Sequence, residues 1–412
     1  MNPYDVIVVG AGPAGLLAAG RAAEKGARVL VLEKMEREGR KLLITGKGRC
    51  NITNDASISD FITHVYPNGR MLKKAFSSFY SNDILELLSK YGVESTLERG
   101  GRYFPASNLA SDVLKALLKW VKELGVDIRC RKKVEKFIVE NDQVVGLIAN
   151  GELFKTKKIV LATGGRSYPA TGSTGDGYAL SSNVGHTITK ARPALVPLET
   201  SGSTAKELQG LNLKNVKAVV WINGKKAGED FGEMIFTHFG LSGPIILTLS
   251  RIVVEELHNN SKVEITIDLK PALDEQKLDN RLIRDINEHG KKRFVNILKY
   301  WLPSTMIPVF IDILKLDPNK ECHQVSSKER KQIRHLLKNL PFTITNHRSF
   351  KEAIITSGGI PTKEIYSKTM ESKLVSGLYF AGEVIDLDAE TGGYNLQIAY
   401  STGWLAGDSC VV

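Results

Sequence analysis

The first residues of this chain that are suited to chemistry form a small-residue cluster near its start. The cluster is the string GAGPAG, with Gly10, Gly12, Pro13, Ala14 and Gly15 as candidate cofactor-binding residues. In such a motif Gly10 permits a tight turn, Gly12 lets the backbone approach a pyrophosphate, and Gly15 lets a helix pack on a strand. The helix start then offers free N–H groups to phosphates. This cluster predicts a dinucleotide-binding turn.

Two strands and one helix must position that turn. The apolar run Tyr4–Val9 predicts a buried strand before it, and Leu16–Lys25 has helical spacing after it. A second buried run, Ala27–Leu32, ends at Glu33, where a carboxylate can hold both hydroxyls of an adenosine ribose. An acid at this place disfavours a 2′-phosphate, because two anions repel. The stretch predicts a βαβ unit and leaves FAD and NAD open.

A basic, glycine-rich stretch follows the βαβ unit. Residues 39–54 read GRKLLITGKGRCNITN, which combines backbone N–H groups with cationic side chains. That combination suits a diphosphate or the electron-rich end of a cofactor, and a basic surface loop is the alternative. Cys50 could be a thiolate beside Arg49 or a small packing residue. The candidate cofactor-binding residues here are Lys34, Arg40, Lys41, Thr45, Gly46, Gly48, Arg49, Cys50 and Asn51.

The C-terminal stretch carries a third set of candidates. A closing strand, Leu378–Ala381, runs into Gly382 and Glu383, and a final helix follows. Bare N–H groups at a helix start can stabilise negative charge on the pyrimidine side of a reduced flavin. A carboxylate at a strand end can accept from ribityl hydroxyls. Simple packing of a terminal helix is the alternative. The candidates are Gly382, Glu383, Gly393, Tyr394, Asn395 and Leu396.

These stretches resemble a known family from end to end. The string GRKLLITGKGRCNITN, the ATGG at 162–165 and GLYFAGEVIDLDAETGGYNLQIAYSTG are similar to a bacterial FAD-binding family of two-dinucleotide-binding-domain flavoproteins. Its members include aminoacetone oxidases and flavin reductases of unsaturated 3-oxo bile acids. The resemblance implies non-covalent FAD. It places Ala162, Thr163 and Gly164 under the adenosine diphosphate and the backbone of Val134 at the adenine edge. It also singles out His238, in FTHFGLSGP, as a candidate acid, with a structural histidine as the alternative.

The predicted fold class is α/β. A discontinuous Rossmann-like FAD-binding domain of glutathione-reductase type would hold an inserted β-barrel-like domain and a small helical subdomain. The predicted boundaries are 1–191 and 356–412 for the FAD domain, 192–269 and 341–355 for the β domain, and 270–340 for the helical subdomain. Strands are expected at 216–222, 233–236, 245–249 and 263–268, with a strand pair across 341–355.

Composition sets further bounds on a chain of 412 residues. Its four cysteines are scattered without metal-binding spacing, which predicts reduced thiols in the cytoplasm. No apolar run approaches the ~20 residues that span a bilayer, and no HExxH or GxSxG motif supports metal or triad hydrolysis. The net charge of +11 is spread through mixed Lys/Arg and Asp/Glu segments. That mixture favours a solvated surface and anionic small ligands over nucleic acid.

Two classes of function follow from these observations. The first is a flavoenzyme: an NAD(P)H-dependent reductase of a small or steroid-like unsaturated substrate or, as the alternative, an amine oxidase of the aminoacetone type that uses oxygen. With no second GxGxxG, NAD(P)H would bind transiently in the substrate cavity. The second class is a flavin-containing RNA-associated or binding protein, suggested by the excess of basic over acidic residues and by the helical insert. The oligomeric state stays open.

Overall fold

The computed structural model describes residues 4–411. The chain divides into two compact units, one formed by residues 1–193 and 350–412 and the other by Ala194–Ser349. The sequence analysis placed the two boundaries between the FAD domain and the insert near residues 191 and 356. The first unit therefore draws on both ends of the chain.

Strands and helices are numbered along the chain in three segments. The N-terminal segment contains β1 (Val6–Val9), α1 (Pro13–Glu24), β2 (Val29–Leu32), α2 (Arg40–Ile44), β3 (Thr53–Asn54), α3 (Ile58–Thr63), β4 (Val65–Tyr66), α4 (Lys73–Ser78), α5 (Ser81–Lys90), β5 (Ser95–Glu98), β6 (Arg102–Pro105), α6 (Ala110–Glu123), β7 (Asp127–Arg129), β8 (Val134–Glu140), β9 (Gln143–Ala149), β10 (Glu152–Lys155), β11 (Ile159–Leu161), α7 (Asp176–Ser182) and β12 (Thr189–Ala194). The middle segment contains β13 (Leu198–Thr200), α8 (Thr204–Glu207), β14 (Asn212–Ile222), β15 (Lys225–Phe236), β16 (Gly240–Ser242), α9 (Pro244–His258), β17 (Val263–Asp268), α10 (Glu275–Glu288), α11 (Phe294–Trp301), α12 (Met306–Leu314), α13 (Ser327–Lys338) and β18 (Leu340–His347). The C-terminal segment contains β19 (Ile355–Gly359), β20 (Leu378–Phe380), β21 (Asp388–Ala389) and α14 (Tyr394–Ser409).

A five-stranded parallel sheet forms the centre of the first unit. Its strand order is β20-β11-β1-β2-β7, and Val8 of β1 pairs with Val31 on one side and Val160 on the other. Strands β1 and β2 are wholly buried, because uninterrupted apolar runs suit parallel strands covered on both faces. The predicted Rossmann-type α/β fold is confirmed, and strand β20 from the C-terminal segment completes the sheet.

Helices α1 and α14 pack closely through small residues. A Cβ on Gly403 would overlap the carbonyl oxygen of Ala14, and one on Gly407 would overlap that of Ala18. Because the contact positions advance together along both helices, the two helices run in the same direction.

This register offsets the two helix starts. Pro13, the first residue of α1, lies level with Thr402, whereas α14 begins at Tyr394. At 1.5 Å per residue, the N-terminus of α14 extends about 12 Å beyond that of α1. Two helix N-termini therefore face the same way, one ahead of the other.

The second unit is built on a closed six-stranded barrel. Its strand order is β13-β16-β15-β14-β17-β18, which confirms the predicted β-barrel-like insert. The long hairpin of β14 and β15 turns at Asn223 and Gly224, both at positive φ, as the Asn-Gly pair predicts. Apolar residues of the helices that follow share one core with the barrel. Leu282, Ile297 and Leu337 are fully buried in that core.

The predicted strand at 245–249 is wrong. These residues lie in helix α9, which starts with Pro244 at a position where proline is preorganised for a helix. Buried residues recur at helical spacing along α9. A short apolar run does not distinguish a strand from a buried helix by itself, and the preceding Gly-Pro was the missed helix-start signal.

The strand pair predicted across 341–355 is also wrong. Leu340–His347 is a single strand that closes the barrel, and the next strand, Ile355–Gly359, pairs with β12 in the first unit.

Across residues 4–411, no helix is both long and apolar enough to cross a membrane.

Candidate functional site

The turn between β1 and α1 forms an open cradle. Gly12 is the N-cap of α1, and no side chain caps the N–H groups of that helix start. A Cβ on Gly12 would meet no atom within 4 Å, whereas one on Gly10 would lie 2.6 Å from the carbonyl oxygen of Ala162. A Cβ on Gly15 would overlap the Gly10 carbonyl. Gly10 and Gly15 thus allow close packing, and Gly12 leaves a space of the kind that a pyrophosphate fills.

Glu33 lies beside this cradle at the end of β2. Its Oε2 accepts from the Ala11 N–H at 2.9 Å, and its Oε1 accepts from the Met35 N–H at 2.8 Å. These two bonds fix the direction of the carboxylate. Each oxygen has a further lone pair, which can accept a ribose hydroxyl.

Thr163, in the ATGG turn after β11, has a buried hydroxyl. Its Oγ1 has no hydrogen-bond partner anywhere in residues 4–411. The Ala162 N–H donates to the Val9 carbonyl at 2.9 Å, which ties the turn to β1. The next residue, Gly164, has φ +71° and no backbone atom within 4 Å of its Cβ position. A Cβ on Gly177 of α7 would lie 2.1 Å from Thr163 Oγ1, so the hydroxyl packs against α7, and the contact of this turn with the adenosine diphosphate stays a prediction.

A second uncapped helix start lies at α14. Gly393 is its N-cap at φ +98°, and a Cβ there would lie 2.5 Å from the Thr53 carbonyl oxygen. The Asn51 side-chain amide can be oriented so that both its nitrogen and its oxygen form hydrogen bonds. In that orientation Oδ1 accepts from the Gly393 N–H at 2.9 Å. The Asn54 amide donates to the Gly392 carbonyl at 2.9 Å. The glycine-rich stretch and the C-terminal motif therefore meet at this helix start.

Two further residues that hold this junction were not among the sequence candidates. The Thr53 hydroxyl donates to Gln397 Oε1 at 2.6 Å, and both side chains are fully buried. Thr53 belongs to the same CNITN string as the candidate Asn51, and this neighbourhood was the sequence signal that could have identified it. Nothing local to either stretch shows that they meet.

Asn395 and Tyr394 support the loop before α14. Asn395 accepts from the Ala389 N–H at 2.9 Å and donates to the Ala389 carbonyl at 2.8 Å. The Tyr394 ring packs edge-on against Phe61 and stacks on His64, with centroids 4.6 Å and 4.8 Å away. Burial raises the pKa of Tyr394 to about 12, so its hydroxyl stays protonated at neutral pH. These contacts of the two side chains hold the loop and the start of α14 in place.

His64 and Glu390 fix the same loop and were missed by the sequence analysis. His64 Nδ1 lies 2.8 Å from Glu390 Oε2, and the Tyr66 hydroxyl donates to Glu390 Oε1 at 3.2 Å. The histidine and the glutamate are 326 residues apart. No spacing rule connects residues so far apart.

Lys41 and Glu383 join the two candidate stretches directly. Lys41 Nζ lies 2.6 Å from Glu383 Oε2, and both side chains are about one-fifth exposed, at 22% and 20%. Glu383 Oε1 accepts from the Thr356 N–H at 2.8 Å. The pair holds α2 against the end of β20, where the ribityl end of a flavin cofactor is expected.

We expect Lys41→Met to weaken FAD binding by roughly tenfold and to lower the melting temperature. The variant leaves the Glu383 carboxylate partly buried with one N–H partner, a loss of about 1–3 kcal/mol. Flavin fluorescence titration of the apoprotein and thermal unfolding measure the two effects. Lys115→Met is the matched control, because Lys115 is 75% exposed and pairs with Asp112 at 3.4 Å. Equal effects of the two substitutions would contradict this role for Lys41.

Other candidates in the glycine-rich stretch are engaged with protein groups. Burial raises the pKa of the Cys50 thiol to about 12, so Cys50 is a neutral packing residue and not a thiolate. Gly46 and Gly48 have positive φ and shape the turn. The polar candidates bond as follows: Lys34 to Asp176 at 2.7 Å, Arg40 to Glu36 at 2.9 Å, Arg49 to Glu98 and to Asn108 at 2.7 Å, and Thr45 to the Leu42 carbonyl at 2.6 Å.

The remaining candidates lie in regular structure. Val134 opens β8 and pairs with Ala149, and Leu396 is half-buried against the core of the first unit. Gly382 has φ +74°, and its Cβ position lies 2.9 Å from the Ala14 side chain. Their cofactor contacts stay predictions.

His238 belongs to the second unit, at the tip of the turn between β15 and β16. The Thr237 N–H donates to the Gly240 carbonyl at 2.8 Å, and the Gly240 N–H donates to the Thr237 hydroxyl at 3.1 Å. The His238 ring is exposed and lies edge-on to Phe239 at 4.9 Å. These bonds hold the backbone of the turn, and the role of His238 as an acid stays a prediction.

The fold and the site together define a dinucleotide-binding flavoprotein. A Rossmann sheet positions an open pyrophosphate cradle at α1, and α14 presents a second uncapped start about 12 Å ahead in the same direction. Residues Ala11–Gly15 and Glu33 would hold the adenosine diphosphate, and the Gly393 turn would face the ring.

Comparison with known proteins gives the family. The chain belongs to the family described as HI0933-like protein Rossmann domain, whose model matches residues 4–409. The protein is an FAD-dependent oxidoreductase, as the sequence predicts.

Two relatives match along almost their whole length. The chain is 29% identical over 402 residues to a 3-dehydro-bile acid delta(4,6)-reductase of Clostridium scindens, covering 97% of each chain. It is also 29% identical over 405 residues to a ribosomal RNA dihydrouridine synthase of Escherichia coli, covering 98% of this chain and 97% of the relative. A solved 3-ketosteroid-delta4-(5alpha)-dehydrogenase from Rhodococcus jostii shares the fold. Its TM-score is 0.52 at 16% identity, with 99% and 97% of the two chains covered.

Proposed function

We propose that this protein reduces a carbon–carbon double bond conjugated to a carbonyl group, with NAD(P)H as the electron donor. The observation that carries the proposal is the uncapped start of α14 at Gly393. Free N–H groups and the positive end of the helix dipole stabilise negative charge at this end of the cofactor site. Such a site stabilises the reduced form of the cofactor, which is the form that passes a hydride to a substrate.

The names of the two relatives support the same bond chemistry. One is a delta(4,6)-reductase of a 3-dehydro-bile acid, and the other makes dihydrouridine, which is uridine with its ring carbon–carbon double bond reduced. In both cases the double bond is conjugated to a carbonyl group. Bond type therefore supports the proposal more strongly than the overall shape of either substrate.

Each part of the chain has a separate task in this proposal. FAD, when bound, supplies the two-electron hydride chemistry. The Gly12 cradle and Glu33 anchor its adenosine diphosphate end, and the Lys41–Glu383 pair orders the segment next to the ribityl chain. Cys50, as a neutral thiol, adds no charge there. His238 is the candidate donor of the proton that completes the reduction of the substrate.

Anaerobic rapid mixing tests this proposal. We expect NADH or NADPH to bleach the flavin band near ~450 nm, and the band to return without oxygen when a conjugated acceptor is added. An unsaturated 3-oxo steroid and a uridine-containing RNA are the two acceptors to compare. Bleaching by aminoacetone but not by NAD(P)H, with recovery only on admission of oxygen, would instead establish an amine oxidase.

A further inference from the structure

We propose that the loop between α10 and α11, together with the exposed side of α11, is a docking surface for RNA. This basic surface comprises Lys291, Lys292, Arg293, Lys299 and Tyr300. The inference rests on the proposed function, because it assigns uridine within RNA as the substrate class of that reductase. Its recognition chemistry is a set of cations for phosphates beside an aromatic ring for a base.

The basic excess of the second unit lies in its helical part. Residues 270–340 contain 15 Lys and Arg against 9 Asp and Glu, a net charge of +6. Residues 194–269, which include most of the barrel, contain 7 against 9, a net charge of −2. A charge that looks mixed along the sequence is therefore unevenly divided within this unit.

The structure also separates paired cations from unpaired ones. Elsewhere in the helical part, Lys320 pairs with Glu329 at 2.7 Å and Lys338 with Asp268 at 2.5 Å. The four cations of the basic surface are exposed, and none has a carboxylate within 4.0 Å in the described part of the chain, residues 4–411. Unpaired surface cations are free to contact phosphates, and their contacts release counterions from RNA.

The loop that carries three of these cations is held in place by the backbone. The Cys322 N–H donates to the Lys292 carbonyl at 3.0 Å, and the Phe294 N–H donates to the Lys320 carbonyl at 2.7 Å. Glu321 lies opposite Arg293 in an isolated bridge, yet its carboxylate is 3.2 Å from His323 and more than 4.0 Å from the guanidinium. The cations therefore project from an ordered loop, which limits the entropy lost on binding.

An aromatic side chain stands beside the cations. Tyr300 is 54% exposed, and its ring stacks on His289 with centroids 5.3 Å apart and planes 22° apart. This contact fixes the tyrosine while leaving much of it open to solvent. An exposed, oriented ring next to unpaired cations is a stacking platform for an unpaired base.

Binding of a labelled RNA to the full-length FAD-loaded protein tests the proposal directly. The probe is a fluorescein-labelled RNA hairpin with uridines in its loop, followed by anisotropy at several salt concentrations. We expect Lys291→Ala/Lys292→Ala to weaken binding roughly tenfold and to reduce the salt slope by about 2, one for each lost phosphate contact. Tyr300→Ala should weaken binding roughly tenfold, and Tyr300→Phe should retain it, because stacking needs the ring and not the hydroxyl.

The matched control removes two exposed lysines from outside the helical part. Lys206→Ala/Lys214→Ala changes the net charge equally, and neither lysine has a carboxylate within 4.0 Å in residues 4–411. Every variant should keep its flavin spectrum and its bleaching by NAD(P)H, so a failure of RNA docking is distinct from a failure of the proposed reductase. Equal loss of affinity in the control would overturn the proposal. So would unchanged RNA binding in the Lys291/Lys292 variant, or binding of the wild type to phosphatidylserine vesicles and not to RNA.

Discussion

Replacement of Gly12 by valine is expected to abolish FAD binding while the chain stays folded. Gly12 has φ −82° and ψ −178°, a conformation that valine adopts readily, and its Cβ position meets no protein atom within 4 Å. The branched side chain would instead occupy the space of the pyrophosphate. The cost to helix α1 from a poorer N-cap is only about 1 kcal/mol. Flavin content of the purified variant, together with its circular dichroism spectrum, measures both parts of this expectation.

Two further substitutions serve as comparisons for Gly12→Val. Gly12→Ala adds a single carbon and should reduce FAD content only in part. Gly15→Val should prevent folding, because its Cβ would overlap the Gly10 carbonyl between α1 and β1. Wild-type FAD content in Gly12→Val would show that the pyrophosphate lies elsewhere.

Replacement of His238 by alanine is expected to lower turnover by about 10²- to 10⁴-fold while FAD content stays normal. This factor is the usual contribution of a positioned proton donor to the rate. The imidazole is exposed at a turn closed by hydrogen bonds between Thr237 and Gly240. The substitution removes no buried contact, so the fold should be unaffected. Anaerobic single-turnover reoxidation of the reduced protein by its acceptor isolates the affected step.

An exposed histidine on α13 provides the control for His238. His335→Ala removes an exposed imidazole from the same unit and should leave turnover unchanged. If His238→Ala is as active as His335→Ala, the histidine is structural and another group or solvent supplies the proton.

Much of the fold followed from local patterns. The βαβ unit was predictable from two local patterns. Uninterrupted apolar runs indicate buried parallel strands, and the small-residue turn between strand and helix is typical of a dinucleotide-binding unit. Helix α11 spans Phe294–Trp301, within the segment 270–340 that the sequence predicted to be helical. Helix α9 was mistaken for a strand because a short apolar run is buried in either conformation.

Less of the candidate site could be predicted, because long-range contacts organise it. Asn54 bonds to Gly392 across 338 positions of sequence, and Lys41 pairs with Glu383 across 342. Sequence patterns marked the two stretches separately, but only folding shows which side chains bond to each other. The state of Cys50 likewise depends on burial, which outweighs the neighbouring Arg49 charge suggested by sequence.

We expect each chain to hold one FAD, without a covalent bond, across the starts of α1 and α14. The most direct measurement is acid precipitation of the purified protein, followed by chromatography and mass determination of the released cofactor. We expect a flavin band near ~450 nm before precipitation and one equivalent of intact FAD in the supernatant afterwards. Flavin retained in the pellet, FMN or NAD in place of FAD, or no flavin even after incubation with FAD would contradict the claim.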